Sequence, residues 1–292
     1  MTCADSSSDP GLLLALNGAD ERLQLAVGRI TTFGRITTCG PTTAPGRMEA
    51  GGAALLAAQE WTVPGEAARF LAPGIRQLLD GLGHTAGQVR RIACVVGPGS
   101  FTGLRMSLAL AQGLALATGA ELAGLNHLEL LAGEAAQLAP GAVAALVWSR
   151  RGQVYAQAFQ RASLHAFQCD GGDRATPFGP PQVVPLTAMQ DYLSALPRPL
   201  SLLGGGLRRN LAFFEALAER DAGLRLLPPA WDAARPAALL DLASRAAFGP
   251  GPLEPAYLRA SDAEDNLAAF AAKRGLSEAD AQTILDHGSR TV

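Results

Sequence analysis

A chain of 292 residues, 48% of them hydrophobic, is long enough for two domains or one large one, with a sizeable core. Its 24 basic and 26 acidic side chains leave a formal charge of −2, so no global basic field draws nucleic acid; any RNA contact must be local or made through a partner. Four scattered cysteines (Cys3, Cys39, Cys94, Cys169) form no Cys-x-x-Cys pair and imply no disulfide framework, and the first ten residues carry neither a basic nor an apolar leader region, so a cytoplasmic protein with no membrane span is expected.

Residues 1–10 read as a Ser-rich lead. Leu12–Leu16 and Arg22–Arg29 read as strands joined by hairpin chemistry at Asn17-Gly18-Ala19-Asp20, and the Thr-rich run Ile30–Cys39 as a candidate third. Residues 40–62 are rich in Gly, Pro and Thr and predict a surface loop. A helix follows over Glu66–Leu82, with Leu71, Ile75, Leu78 and Leu82 on one face and Pro73 as an internal kink. A buried strand over Ile92–Val96, a helix over Leu104–Thr118, a strand over Glu121–Leu125 and a helix over His127–Gln137 give the strand-helix alternation of an α/β layer. The grammar then restarts. Val143–Trp148 and Gln153–Phe159 are strands joined by Ser149-Arg150-Arg151-Gly152, and 169–181 is loop. Thr187–Leu196 is a helix with a Thr187/Gln190 capping box, and Leu200–Leu203 is a strand entering Gly204-Gly205-Gly206 and a helix to Glu219. Asp232 is placed to cap a helix to Phe248, and 252–259 is extended. The charged tail, 260–292, suggests two short helices.

The stretch Gly97-Pro98-Gly99-Ser100-Phe101-Thr102-Gly103-Leu104-Arg105 joins the buried strand to the longest helix. It fails as a P-loop, because no lysine follows Gly103. It fails as a nucleophile elbow, because Pro98 and Thr102 stand where glycines flanking Ser100 are needed. Its spacing is not that of a dinucleotide fingerprint. Two readings survive: backbone N–H groups of Gly99, Ser100, Phe101, Thr102 and Gly103, with Arg105, holding an anion at a helix start, or glycines that only permit a tight turn. The helix after it carries two opposed apolar stripes, Leu104/Leu108/Ala111/Ala115 and Met106/Leu110/Gly113/Ala117, with Arg105 and Gln112 as its polar strip. Such a helix must be covered twice, by the sheet and by a neighbouring helix or another protein. Ala109, Gly113 and Ala117 would let that neighbour approach closely. The four histidines are widely spaced, no paired carboxylates stand out, and no metal site or catalytic residue is assigned.

The stretch 97–105 resembles, residue for residue, the signature of the bacterial TsaB (YeaZ) family. Collinear matches accompany it: Leu14-Ala15-Leu16, Phe70-Leu71-Ala72-Pro73, Gly113–Ala117, Arg150-Arg151-Gly152-Gln153-Val154-Tyr155, Gly204-Gly205-Gly206 and Ala256-Tyr257-Leu258-Arg259, spanning about 11–259. The resemblance implies an α/β protein of two actin/Hsp70-like (ASKHA) half-domains, each a mixed sheet with packed helices: 11–120 and 121–259, with 260–292 a tail of unassigned role. It implies a non-catalytic partner of TsaD, the threonylcarbamoyltransferase of threonylcarbamoyladenosine formation at tRNA position 37, with TsaE as a further partner, tRNA met only through the complex, and a homodimer as an option. The partner interface it implies uses Phe70, Leu71, Ile75 and Leu78 before the signature and Arg105, Met106, Ala109, Gln112 and Gly113 after it. No cofactor of its own is implied; ATP or ADP would be bound by or shared with TsaD or TsaE.

The chain departs from the family where nucleotide would be held. The usual Asp-Thr-Ser of the first strand is Asn17-Gly18-Ala19, the usual His-Ser-Glu is replaced around Pro64-Gly65-Glu66, and the Asp before the Arg-Arg-Gly hairpin is Ser149. The alternatives are an actin-like ATPase or a TsaD-like peptidase or transferase acting alone, and a homodimeric binding module without a tRNA link.

Overall fold

The computed structural model describes residues 11–31, 52–160 and 175–258, with 271 and 277. The chain divides into a unit of residues 1–256 and another of 257–292; every element below belongs to the first.

Strand β1 (Leu12–Asn17) is buried along its whole length, as expected of a central strand covered on both faces. β2 (Arg22–Thr31) pairs with it antiparallel, and β3 (Gly52–Thr62) pairs antiparallel with β2. On its other side β4 (Val89–Gly97) and then β5 (Glu121–Asn126) are added parallel, giving the order β3-β2-β1-β4-β5. Leu12, Leu14, Leu16, Ile92 and Cys94 point to the face covered by α1 (Ala67–Gly81) and α2 (Phe101–Thr118). Leu13, Ala15, Ala93 and Val95 point to the other, covered by α7 (Pro236–Ser244) and Leu130 of α3 (His127–Leu138). Burial pushes the Cys94 thiol up to about 12, so it packs as a small apolar side chain.

The second sheet repeats the plan. β6 (Ala142–Arg150) and β7 (Gln153–Gln160) form an antiparallel hairpin; β8 (Thr176–Pro177) and β9 (Gln182–Pro185) pair with β7; β10 (Leu200–Leu203) and β11 (Leu224–Leu226) are added parallel beside β6. Its order is β11-β10-β6-β7-β8. α4 (Leu186–Ser194), α5 (Gly205–Arg209) and α6 (Leu211–Ala218) share a core with this sheet, while α3 lies against β6 and β7. Two mixed sheets with packed helices are the expected α/β architecture, and each sheet is a hairpin extended by two parallel strands.

Several local expectations are corrected. Residues 52–62 are not loop but the edge strand β3, whose half-exposed residues carry no clear apolar alternation. The run after Gly204 is not one helix but α5 and α6, broken at Asn210, where φ is −125°. Thr187 caps nothing: α4 starts at Leu186 after Pro185. Asp232 does not cap α7 either, because Arg235 holds that position and Asp232 is spent on Arg208. β5, which starts at 121, pairs with β4, so the first sheet runs past residue 120 to Asn126. The expected 169–181 loop contains β8 at Thr176–Pro177. Cys39, the rest of the Thr-rich run from residue 32, residues 169–174 and the tail helices lie outside the described residues.

Candidate functional site

The signature turn is shaped by backbone meeting backbone. A Cβ on Gly99 would lie 2.2 Å from the Ala19 carbonyl oxygen, and one on Gly103 would lie 2.1 Å from that of Gly18. Ser100 N donates to Ala19 O at 2.7 Å, and Gly103 N donates to Ser100 Oγ at 3.3 Å, which caps α2. The glycines therefore seat the turn directly on the β1–β2 turn. Two N–H groups that an anion would use, those of Ser100 and Gly103, are spent within the chain. Thr102 is exposed, and the Arg105 guanidinium stacks over the Phe101 ring, 4.0 Å from its centroid.

Behind the turn, His127 is 1% exposed and its Nδ1 lies 3.0 Å from Pro98 O. A carbonyl only accepts, so the proton sits on Nδ1. Burial, the largest influence, holds the imidazole below its usual pKa, against the opposing pull of Asp20 and the Pro98 carbonyl.

Helix α2 keeps its two stripes apart. Leu104, Ser107, Leu108, Ala111 and Ala115 are buried against the sheet. On the opposite side Arg105, Ala109, Gly113 and Ala117 are exposed, with Met106, Leu110 and Gln112 partly so. Leu116, which lies outside the two apolar stripes of the sequence, is 88% exposed, and Phe101 42%. Thr102, Arg105, Ala109, Gly113 and Leu116 fall at helical spacing on one stripe, a signal that was readable. A Cβ on Gly113 would meet nothing within 4 Å. Gln112 is anchored by donating to Leu253 O at 3.0 Å.

The α1 part of the expected interface is different. Leu71, Ile75 and Leu78 are buried in this chain's own core, so they offer no surface to a partner. The amphipathic pattern that singled them out is the pattern of a helix packing on its own sheet. Phe70 is half-buried, its ring tilted against Trp61 at 5.6 Å. The outer side of α1 carries the exposed pairs Arg69–Glu66 and Arg76–Asp80.

Between the sheets lies a cavity of about 230 Å³ lined by Asn17, Asp20, Glu21, His127, Gly205 and Arg208, among others. Asn17 is not placed as a metal ligand: its Nδ2 donates to Gln24 Oε1 at 3.0 Å and its Oδ1 accepts from Ala19 N. Gln24 in turn donates to Ala234 O at 2.5 Å and to Glu60. Ser149 Oγ is buried without a partner among the described residues. No group of three His, Cys, Asp or Glu among the described residues is arranged to hold a metal ion, and no described helix is long and apolar enough to cross a membrane.

Comparison with known proteins finds partial matches in sequence and a shared fold in structure. The profile of TsaD, tRNA N6-adenosine threonylcarbamoyltransferase, matches residues 62–166. The tRNA threonylcarbamoyladenosine biosynthesis protein TsaB of Escherichia coli K12 is 34% identical over 100 residues, which are 34% of this chain and 43% of that protein, so the match spans less than half of the relative's length. Among solved structures, a Pseudomonas aeruginosa protein described as similar to peptidase YEAZ superposes with a TM-score of 0.59 at 24% identity, covering 85% of this chain and 100% of that one. YeaZ from Pseudomonas aeruginosa superposes with a TM-score of 0.53 at 22% identity, covering 93% and 97%. The structural matches carry the fold, and the sequence match carries the family resemblance.

Proposed function

We propose that this chain, a relative of the TsaB and YeaZ proteins, is a non-catalytic scaffold subunit that binds and activates a TsaD-type threonylcarbamoyltransferase. It would serve threonylcarbamoyladenosine formation at tRNA position 37 in the cytoplasm, meeting TsaE and tRNA through the complex and carrying no nucleotide of its own. The observation that supports this reading best is the exposed stripe of α2. A helix that buries one apolar face on its sheet and leaves small residues and Leu116 in solvent on the other has a surface suited to a second helix. The signature turn fixes the direction in which that stripe points. A second copy of the chain could use the same stripe when TsaD is absent.

Gly113→Leu tests the proposal. With no neighbour within 4 Å, the added side chain should leave the fold intact and even favour the helix by about 1 kcal/mol. Size-exclusion and titration calorimetry with purified TsaD should show a heterodimer for the native chain and affinity weakened by roughly tenfold or more for the variant. Unchanged affinity would remove α2 from the interface. No complex at all, with unchanged threonylcarbamoyladenosine by mass spectrometry after gene deletion, would sink the scaffold reading. Micromolar binding of magnesium ATP by the lone chain would favour an independent ATPase instead.

A further inference from the structure

The β1–β2 turn ends in two consecutive carboxylates, Asp20 and Glu21: Glu21 is paired across the cleft, while Asp20 Oδ1 accepts from Glu21 N at 2.7 Å and its Oδ2 faces the opposite turn. Glu21 pairs with Arg209 of α5, on the opposite sheet. Asp20 Oδ2 lies 3.0 Å from the point where a Cβ on Gly205 would stand, so its carboxylate reaches the Gly204–Gly206 turn. The remaining arginines at the cavity are also met: Arg208 by Asp232 at 2.5 Å, and Arg22 by Glu60 at 2.9 Å. Asp232 also accepts from Gly204 N at 3.0 Å. Arg209 stacks on Trp148, 5.0 Å from its ring, which fixes its guanidinium at the cleft mouth. Arg22, Arg208 and Arg209 therefore face four carboxylates, Asp20, Glu21, Glu60 and Asp232, at or beside the cavity, with a neutral His127 beneath.

We propose that Asp20 and Glu21 form a built-in anionic plug: they stand where a phosphate-like anion would sit against Arg209 and the Gly204–Gly206 turn, and so keep the cleft occupied by the chain itself. The Glu21–Arg209 pair is about half exposed on both sides and binds weakly, so the plug does not act as a strong clamp. It acts by occupancy and by repulsion. An incoming multivalent anion would have to displace Glu21 while lying beside Asp20, and like charges about 4 Å apart repel appreciably at a protein surface. Without the two carboxylates, Arg22, Arg208 and Arg209 outnumber the remaining carboxylates, Asp232 and Glu60, by one. This inference concerns the cleft and holds whether or not α2 docks TsaD.

The test uses inorganic pyrophosphate as probe, titrated calorimetrically into the full chain at neutral pH and low salt. The native chain should show no saturable binding. Asp20→Asn with Glu21→Gln should bind roughly tenfold or more tightly than any residual native affinity, and adding Arg209→Ala should abolish the gain. Both changes keep side-chain shape at partly exposed positions, and circular dichroism checks the fold; Glu21→Gln alone, expected to give a smaller gain, serves should the double variant misfold. Equal affinity in native and variant chains would overturn the plug, as would a folded variant that gains nothing or a gain that survives Arg209→Ala.

Discussion

The two sheets place a glycine-rich turn at the same topological position, after β4 in the first and after β10 in the second, and the two turns do different work. The first is sealed: Gly99 and Gly103 lie against the backbone of Gly18 and Ala19 from the hairpin of their own sheet. It launches an 18-residue helix with a spare face. The second is half open: Gly204 and Gly206 lie against the Leu146 backbone, while Gly205 faces the cleft and meets only the end of Asp20. It launches a five-residue helix that stops at Asn210. Glycine content by itself thus reports close approach. What approaches, backbone or a flexible side chain, decides whether the turn is structural or still has room beside it.

The largest expected effect breaks the seal on the first turn. In Gly103→Val the new Cβ would stand 2.1 Å from a backbone oxygen that cannot swing away. The loss should be about 3 kcal/mol or more, read from the midpoint of urea unfolding. A loss under about 1 kcal/mol would mean that the hairpin backbone yields, and that the glycines are not there for the close approach.

An intermediate effect comes from the group that buttresses the first turn and has no counterpart in the second. His127 is held neutral by burial while its Nδ1–H meets Pro98 O. Its pKa in the fold lies below the ordinary 6.5, so below that value the unfolded chain takes up a proton that the folded chain refuses. Stability should therefore fall as the pH drops below about 6.5 and level off above it. His127→Gln should remove part of that slope, about 1 kcal/mol between mildly acidic and neutral pH. Parallel urea curves for both proteins across that range, with identical pH dependence, would show that His127 is not the group responsible.

Most of this architecture is legible from local pattern. The hairpin β1–β2, the strand-turn-helix of β4 and α2, and the β6–β7 hairpin follow from apolar runs and turn residues, and the structure returns them within a few positions. What local pattern cannot carry is the identity of the partner surface. Leu71, Ile75 and Leu78 form an apolar stripe as clear as any on α2, yet that stripe is spent on the chain's own sheet. Amphipathicity reports that a face is covered and not by what. The cleft escapes the sequence for a related reason. The pair at its mouth, Glu21 with Arg209, joins residues 188 positions apart, and no spacing rule reaches that far. β3 escapes because a half-exposed edge strand rich in alanine has no period to read.

The smallest expected effect sharpens the contrast from the second turn. Gly205→Ala places a Cβ 3.0 Å from Asp20 Oδ2, the far end of a side chain that can rotate away, and Gly205 has no positive φ that would strain an alanine. As the first residue of α5, it also gains from the stiffer backbone of alanine. The two effects should nearly cancel, leaving stability within about 0.5 kcal/mol of the native chain by urea unfolding. The position of Asp20 should change nonetheless, since its carboxylate must give by a few tenths of an ångström; the amide resonances of Asp20 and Glu21 would report that displacement while the core signals stay fixed. A loss comparable to that of Gly103→Val would make the second turn as tightly sealed as the first, and the difference between them would then lie in the helices they launch rather than in the turns.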